Sequence, residues 1–108
     1  TLSNMRAIAL SKDIINQIDE KIECCDFDGC TTKDSVEICT DELTIFVEFF
    51  AYFRYIEEYE IHTEFAYNNV ENLSRYEFDG AQITDISAYD EENEEEVEIS
   101  NIDELKYN

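Results

Sequence analysis

The sequence predicts an α+β domain: an N-terminal amphipathic helix packed on a mostly antiparallel sheet of four to five strands, with a short C-terminal helical turn. Three observations carry this reading. The first two dozen residues hold an apolar stripe of helical period, the centre alternates with period two, and turn chemistry separates further alternating runs. At 108 residues, with 44% hydrophobic and 13% aromatic content, residues 1–108 make one domain with material for one core.

Residues 3–23 read as the helix. Met5, Ile8, Ile15, Ile18 and Ile22, with Ile14 nearby, form the stripe; Lys12, Asp13, Asp19 and Glu20 occupy the other face, and Ser3 is placed to cap the start. Asp26-Phe27-Asp28-Gly29 is turn chemistry, and Val36 and Ile38 alternate as a short strand. From Leu43 every odd position through Tyr55 is apolar, while even positions mix Thr44, Phe46, Glu48, Phe50, Tyr52, Arg54 and Ile56. β-Branched and aromatic residues decide for strand over helix.

Parity resumes with Tyr59, Ile61, Thr63, Phe65 and Tyr67, so a second strand is expected after a turn near Ile56-Glu57-Glu58, one long bent strand being the alternative. Asn68 to Asp79 reads as loop or ragged strand end, and Asp79-Gly80 as a tight turn. Strands are expected at Ile83–Tyr89 and Val97–Ile99, joined by a solvated hairpin loop over residues 90–96, which hold six acids in seven positions. Ser100 and Asp103 resemble a capping box for a helical turn over Ile102–Leu105. There is no repeat, no linker and no proline.

Twenty-eight Asp and Glu oppose seven Lys and Arg, a net charge of −21. Such a surface repels phosphate backbones and anionic lipid, so direct nucleic-acid or membrane binding is not expected; a protein with a basic surface is the expected partner. The longest apolar stretch, Ile45 to Phe53, is interrupted by Glu48 and too short to span a bilayer, and Met5–Leu10 is too short for a signal-peptide core. A cytoplasmic, intracellular location is expected.

The sequence carries no catalytic signature. His62 is the one histidine and lacks a nucleophile context, and the glycines at 29 and 80 make no phosphate loop. Cys24, Cys25, Cys30 and Cys39 do not match zinc-knuckle spacing; reduced thiols are expected, with Cys25–Cys30 or Cys30–Cys39 bridges open to an oxidising compartment. Asp26-x-Asp28-Gly29 starts like a calcium loop and Glu37 stands at its twelfth place, but Cys30 holds the fifth and Gly29 comes two places early. No enzyme activity, cofactor or metal is expected.

In charge and size the chain resembles the anti-restriction and anti-CRISPR inhibitors of phages that imitate DNA. Ile83-Thr84-Asp85-Ile86-Ser87-Ala88-Tyr89-Asp90 leading into Val97-Glu98-Ile99 is also similar to small acidic proteins of phages and mobile elements, which implies no activity. The first expectation is therefore a nucleic-acid mimic acting on a nucleic-acid-processing defence protein, with Glu57, Glu58, Glu60, Glu64, Asp90, Glu91, Glu92, Glu94, Glu95 and Glu96 as the contacting acids. The second is a structural or adaptor protein, such as a phage accessory. It would dock or dimerise through the sheet face bearing Phe46, Phe50, Tyr52 and Ile56, where an exposed aromatic patch calls for a homodimer or a protein partner.

Overall fold

The computed structural model describes residues 5–25, 31–64 and 67–108. The architecture is mixed and mostly sheet, with a single α-helix among the described residues. The helix is shorter than its apolar stripe. Before it, Ala7–Ile8 (β1) lies parallel to the last strand, Glu95–Ile99 (β7). The Glu98 N–H donates to the Arg6 carbonyl at 2.9 Å and the Ser100 N–H to that of Ile8 at 2.7 Å. These residues are claimed by the sheet, which corrects the expected helix over 3–23; Ser3 lies outside the described residues.

Ser11 ends the extended segment and caps α1 (Lys12–Glu23), its hydroxyl oxygen accepting from the Ile14 N–H at 3.3 Å. The Asn101 side-chain amide holds both backbone groups of Leu10, at 2.8 and 2.9 Å, which fixes the angle at which the helix starts. Ile15, Ile18 and Ile22 are buried against the sheet, the last two completely. Each such side chain contributes about 1.5–3 kcal/mol of burial.

Five strands form the main sheet in the order β1-β7-β6-β3-β2, where β2 is Thr31–Cys39, β3 Leu43–Ile56 and β6 Arg75–Asp90. All pairings other than β1 with β7 are antiparallel. On β3, Ile45, Val47, Phe49 and Ala51 point at α1 and are fully buried, with Ile83, Ala88, Val97, Ile99, Leu10 and Leu105 closing the core around them. A 3₁₀ turn, Ile102–Glu104, brings Leu105 under this layer.

Strand β6 breaks the alternation twice. Glu48 faces Asp85 but Phe49 faces Ile83, and Tyr52 faces Gly80 but Phe53 faces Phe78. Thr84 and Asp79 are thus the extra residues of two β-bulges, and each insertion flips the side-chain parity of the strand. The residues opposite the odd positions of β3 from Ile45 to Tyr55 run Ala88 and Ile86, then Ile83 and Ala81, then Phe78 and Tyr76. Gly80 sits beside the second bulge at φ +150, a backbone open to glycine and strained for any other residue. At the first, the Ile83 N–H donates to the Tyr107 carbonyl at 2.8 Å, so the C-terminal segment absorbs a donor.

Among the described residues β2 begins opposite Tyr52, and β3 and β6 continue beyond it as a pair prolonged by β4 (Tyr59–Glu64) and β5 (Tyr67–Asn72). Residues 57–58 and 73–74 interrupt the ladder without changing its register: Ile56 faces Arg75 before the gap and Tyr59 faces Asn72 after it. Within the gap the Leu73 N–H still donates to the Glu58 carbonyl at 2.8 Å. The result is a two-stranded arm from Phe53 to Glu64 and back from Tyr67 to Phe78. Twelve residues at about 3.3 Å each give an arm of roughly 40 Å. The molecule accordingly measures 76 × 27 × 20 Å.

Three expectations are corrected here. The Ile56-Glu57-Glu58 segment does not reverse the chain, so the bent-strand alternative describes it better. The loop expected over Asn68 to Asp79 is mostly strand, and the strand expected to start at Ile83 starts at Arg75. The main sheet has five strands, within the four to five expected, and a second, two-stranded sheet of β4 and β5 stands beyond that expectation.

Candidate protein-binding surfaces

The acid run lies at the base of the molecule, where β6 turns into β7. Asp90 is buried, and its carboxylate accepts from the amides of Glu92 (2.9 Å) and Asn93 (3.0 Å), the Asn93 side chain (2.8 Å) and Arg6. These bonds, those from Asn93 first, hold its pKa below the ordinary carboxylate value. Asp90 therefore organises the turn and is withdrawn from any contact surface. Glu91 accepts from the Thr44 hydroxyl at 2.7 Å, and Glu95 lies 3.5 Å from Arg6. Glu92, Glu94 and Glu96 are exposed, with Glu94 at φ 52 in the turn.

The other acids singled out in the sequence lie on the arm. Glu58 pairs with Arg75 at 2.5 Å, and Arg75 also reaches Glu77 at 2.9 Å. Glu57 and Glu60 are exposed; Glu64 is placed by its pairing with Tyr67. The two acid groups are separated by most of β3, since Asp90 faces Leu43 while Glu57 follows Ile56. That is roughly 40 Å along the strand. They do not form one patch.

Among the described residues, Glu60, His62 and Glu71 converge, with candidate ligand atoms within 4.8 Å of one another. Glu60 stands directly opposite Glu71, and His62 Nε2 is 2.9 Å from Glu71 and 3.8 Å from Glu60. All three are exposed, and two glutamates directly opposite each other repel. Cys24 and Cys39 are exposed, Cys25 is half-buried against the core, and Cys30 lies outside the described residues. Surface recesses lined by Lys33, Asp34, Ser35 and Glu48, by Leu10, Lys12 and Asp19, or by Arg6, Glu42 and Asp90 hold neither His62 nor a thiol.

The sheet face away from α1 carries Phe46, Phe50 and Tyr52, with Phe46 and Tyr52 exposed and Phe50 half-covered. The Lys33 ammonium stands 6.0 Å over the Phe50 ring. Ile56 continues this face onto the arm, beyond Arg54. The four residues thus share a face and are brought into one row.

A second stripe was not singled out in the sequence. Phe53 meets Phe78 edge-on at 6.1 Å, Phe78 meets Tyr107 at 5.6 Å, and Tyr55 lies 5.1 Å from Tyr76. This row is the core-facing side of β3 continued past the helix, and it runs out along the arm as Tyr59, Ile61 and Val70. Ile61 and Val70 are 68% and 63% exposed, high for apolar side chains that face each other across a ladder. The signal was present: the odd-position stripe from Leu43 to Ile61 needs roughly 60 Å of cover, and a helix even of the expected length supplies about 30 Å.

Compared with protein-family models, with curated proteins and with solved structures, the chain matches none. No helix among the described residues is long and apolar enough to cross a membrane. The surfaces themselves are what bears on function.

Proposed function

We propose that this chain is a non-enzymatic, acidic protein-binding module that imitates nucleic acid toward a basic, nucleic-acid-handling protein. The observation that carries the reading is the segregation of charge. Residues 53–78, the arm, hold six acids and two bases, a net −4; the remaining residues hold twenty-two acids and five bases, a net −17. An arm of roughly 40 Å in a molecule 76 Å long leaves about 35 Å for the body. The body then carries about one net charge per 2 Å, close to the one per 1.7 Å of duplex DNA. Its 27 × 20 Å cross-section suits a groove shaped for a nucleic-acid helix. Glu92, Glu94 and Glu96 are exposed at the base and form no ion pair among the described residues, and they are the acids best placed for such a contact.

Capture on the immobilised chain, followed by rising salt, tests this. The expected partner elutes between about 0.1 and 0.5 M salt, because exposed charge pairing is screened. Its capture should also weaken when Glu92, Glu94 and Glu96 are changed together to Gln. A partner indifferent to both would sink mimicry and favour the second reading, an adaptor docking through Phe46, Phe50 and Tyr52. That reading has its own support in the aromatic row left on the open side of a single sheet layer.

A further inference from the structure

We infer that Glu60, His62 and Glu71 form a binding site for one divalent transition-metal ion of the zinc type, held on one face of the arm by two carboxylates and an imidazole. The site lies apart from the acids offered to a basic groove, and it would survive the failure of mimicry.

The ladder builds the site. Glu60 and His62 are two residues apart on β4, so their side chains rise from the same face, about 6.7 Å apart along the strand. Glu71 on β5 stands directly opposite Glu60 and diagonal to His62, whose own partner is Asn69. The three candidate ligand atoms lie within 4.8 Å of one another, with His62 Nε2 2.9 Å from Glu71 and 3.8 Å from Glu60. Nitrogen and oxygen ligands about 2.0–2.2 Å from a tetrahedral zinc stand roughly 3.3 Å apart, between those two distances. Closing the set takes small rotations of side chains that are already half exposed.

Charge and donor chemistry select the occupant. Like charges directly opposite on a ladder destabilise it unless a cation stands between them. Nearer the body, Arg75 is that cation for Glu58, at 2.5 Å, and Glu77, at 2.9 Å. Glu60 and Glu71 have no lysine or arginine partner among the described residues. A hydrogen bond with the imidazole serves Glu71 alone, whereas a divalent ion at the same point serves both carboxylates and cancels their charge. The imidazole also separates this set from the acid run at the base. A nitrogen ligand favours zinc, copper or nickel, while all-oxygen groups suit magnesium and calcium. The ion would tie β4 to β5 in a two-stranded ribbon that is marginal in water by itself. Spacing in the sequence does not reveal the set, because Glu71 lies nine residues past His62 and only the ladder sets it opposite Glu60.

The test is a titration of the whole chain with zinc chloride, read from the ring resonances of His62. It is the one histidine in the sequence, so its ring reports this site even where zinc also meets a thiol. The expected result is a saturable shift with a midpoint of about 1–100 µM, and no comparable shift with magnesium at about 1 mM. Glu60→Gln and Glu71→Gln should each raise that midpoint at least about tenfold. Each also removes the repulsion between the two glutamates, so the metal-free arm keeps its fold, which the amide spectrum checks. Zinc at about ten times the midpoint should slow amide exchange at Ile61 and Val70 roughly tenfold, because it binds the closed ribbon. Changing Glu92, Glu94 and Glu96 together to Gln, several Debye lengths away, should leave the midpoint within about twofold. Ring resonances that ignore about 1 mM zinc, that respond equally to magnesium, or whose midpoint is indifferent to both glutamate substitutions would each overturn the inference.

Discussion

Asp90 shows how a residue chosen for its charge can be spent on structure. It stands first in a run that reads as solvated, yet it is 4% exposed because the turn behind it presents two amides and a carboxamide, and Arg6 arrives from β1. Asn93, three residues on, is its one local mark, while the arginine lies 84 residues away. Asp90→Ala should lower the melting temperature by roughly 5–10 °C, whereas Glu92→Ala, two residues on and exposed, should shift it by less than about 2 °C. Thermal melts of the two variants side by side check this. Gly80 is the complementary case, a residue legible as a turn glycine that instead serves a bulge. Open space surrounds its α-carbon, so Gly80→Ala meets no clash and reports backbone strain alone, about 1–3 kcal/mol in denaturant unfolding.

At the scale of elements, regular patterns were legible and their interruptions were not. The helix stripe and the odd-position stripe of β3 follow directly from spacing, and both line the core as that spacing requires. The amino end of the helix was overextended because Met5 and Ile8 fit its period, while a parallel pairing with residues 98 and 99 took that segment. β6 was cut short because two bulges reset its parity, so no single period runs through its sixteen residues. The acid candidates were legible as residues but not as a surface, since the turn that separates the two groups in space is not one. The arm makes few claims on the core, and this yields a direct expectation. Replacing residues 57–74 by Asn-Gly, a turn suited to joining Ile56 to Arg75, should leave a folded body melting within about 5 °C of the parent. Collapse of the near-native circular dichroism on that replacement would mean that the arm carries stability the packing does not reveal.

For the whole molecule the charge decides how solution conditions act. Self-repulsion at −21 opposes compactness, so stability should rise with ionic strength, by about 5 °C or more in melting temperature from 0.05 to 0.5 M salt. The pH dependence has two limbs. From pH 7 toward 5, falling net charge relieves repulsion and stability rises. Asp90 and Glu23 then act oppositely. Asp90 is held below the ordinary carboxylate value by its Asn93 bonds, and Glu23 by the Tyr107 hydroxyl and then Lys106. Groups depressed in the folded state stabilise above their unfolded values, near 3.9 for Asp and 4.3 for Glu, and that contribution is lost as pH falls through the folded values. Asp19, raised by burial, opposes them in sign. A melting profile that peaks near pH 5 and falls below about pH 4 is expected; one that declines steadily from pH 7 would show repulsion to be minor.

The central claim is that the body offers a nucleic-acid-like charge surface to a basic groove, and competition tests it most directly. A partner captured on the immobilised chain near 0.1 M salt is challenged with a short DNA duplex. The account predicts that the duplex releases the partner in a concentration-dependent way, since both would occupy one groove, and that the released partner binds that duplex. A partner that stays bound under saturating duplex and through 1 M salt would contradict it.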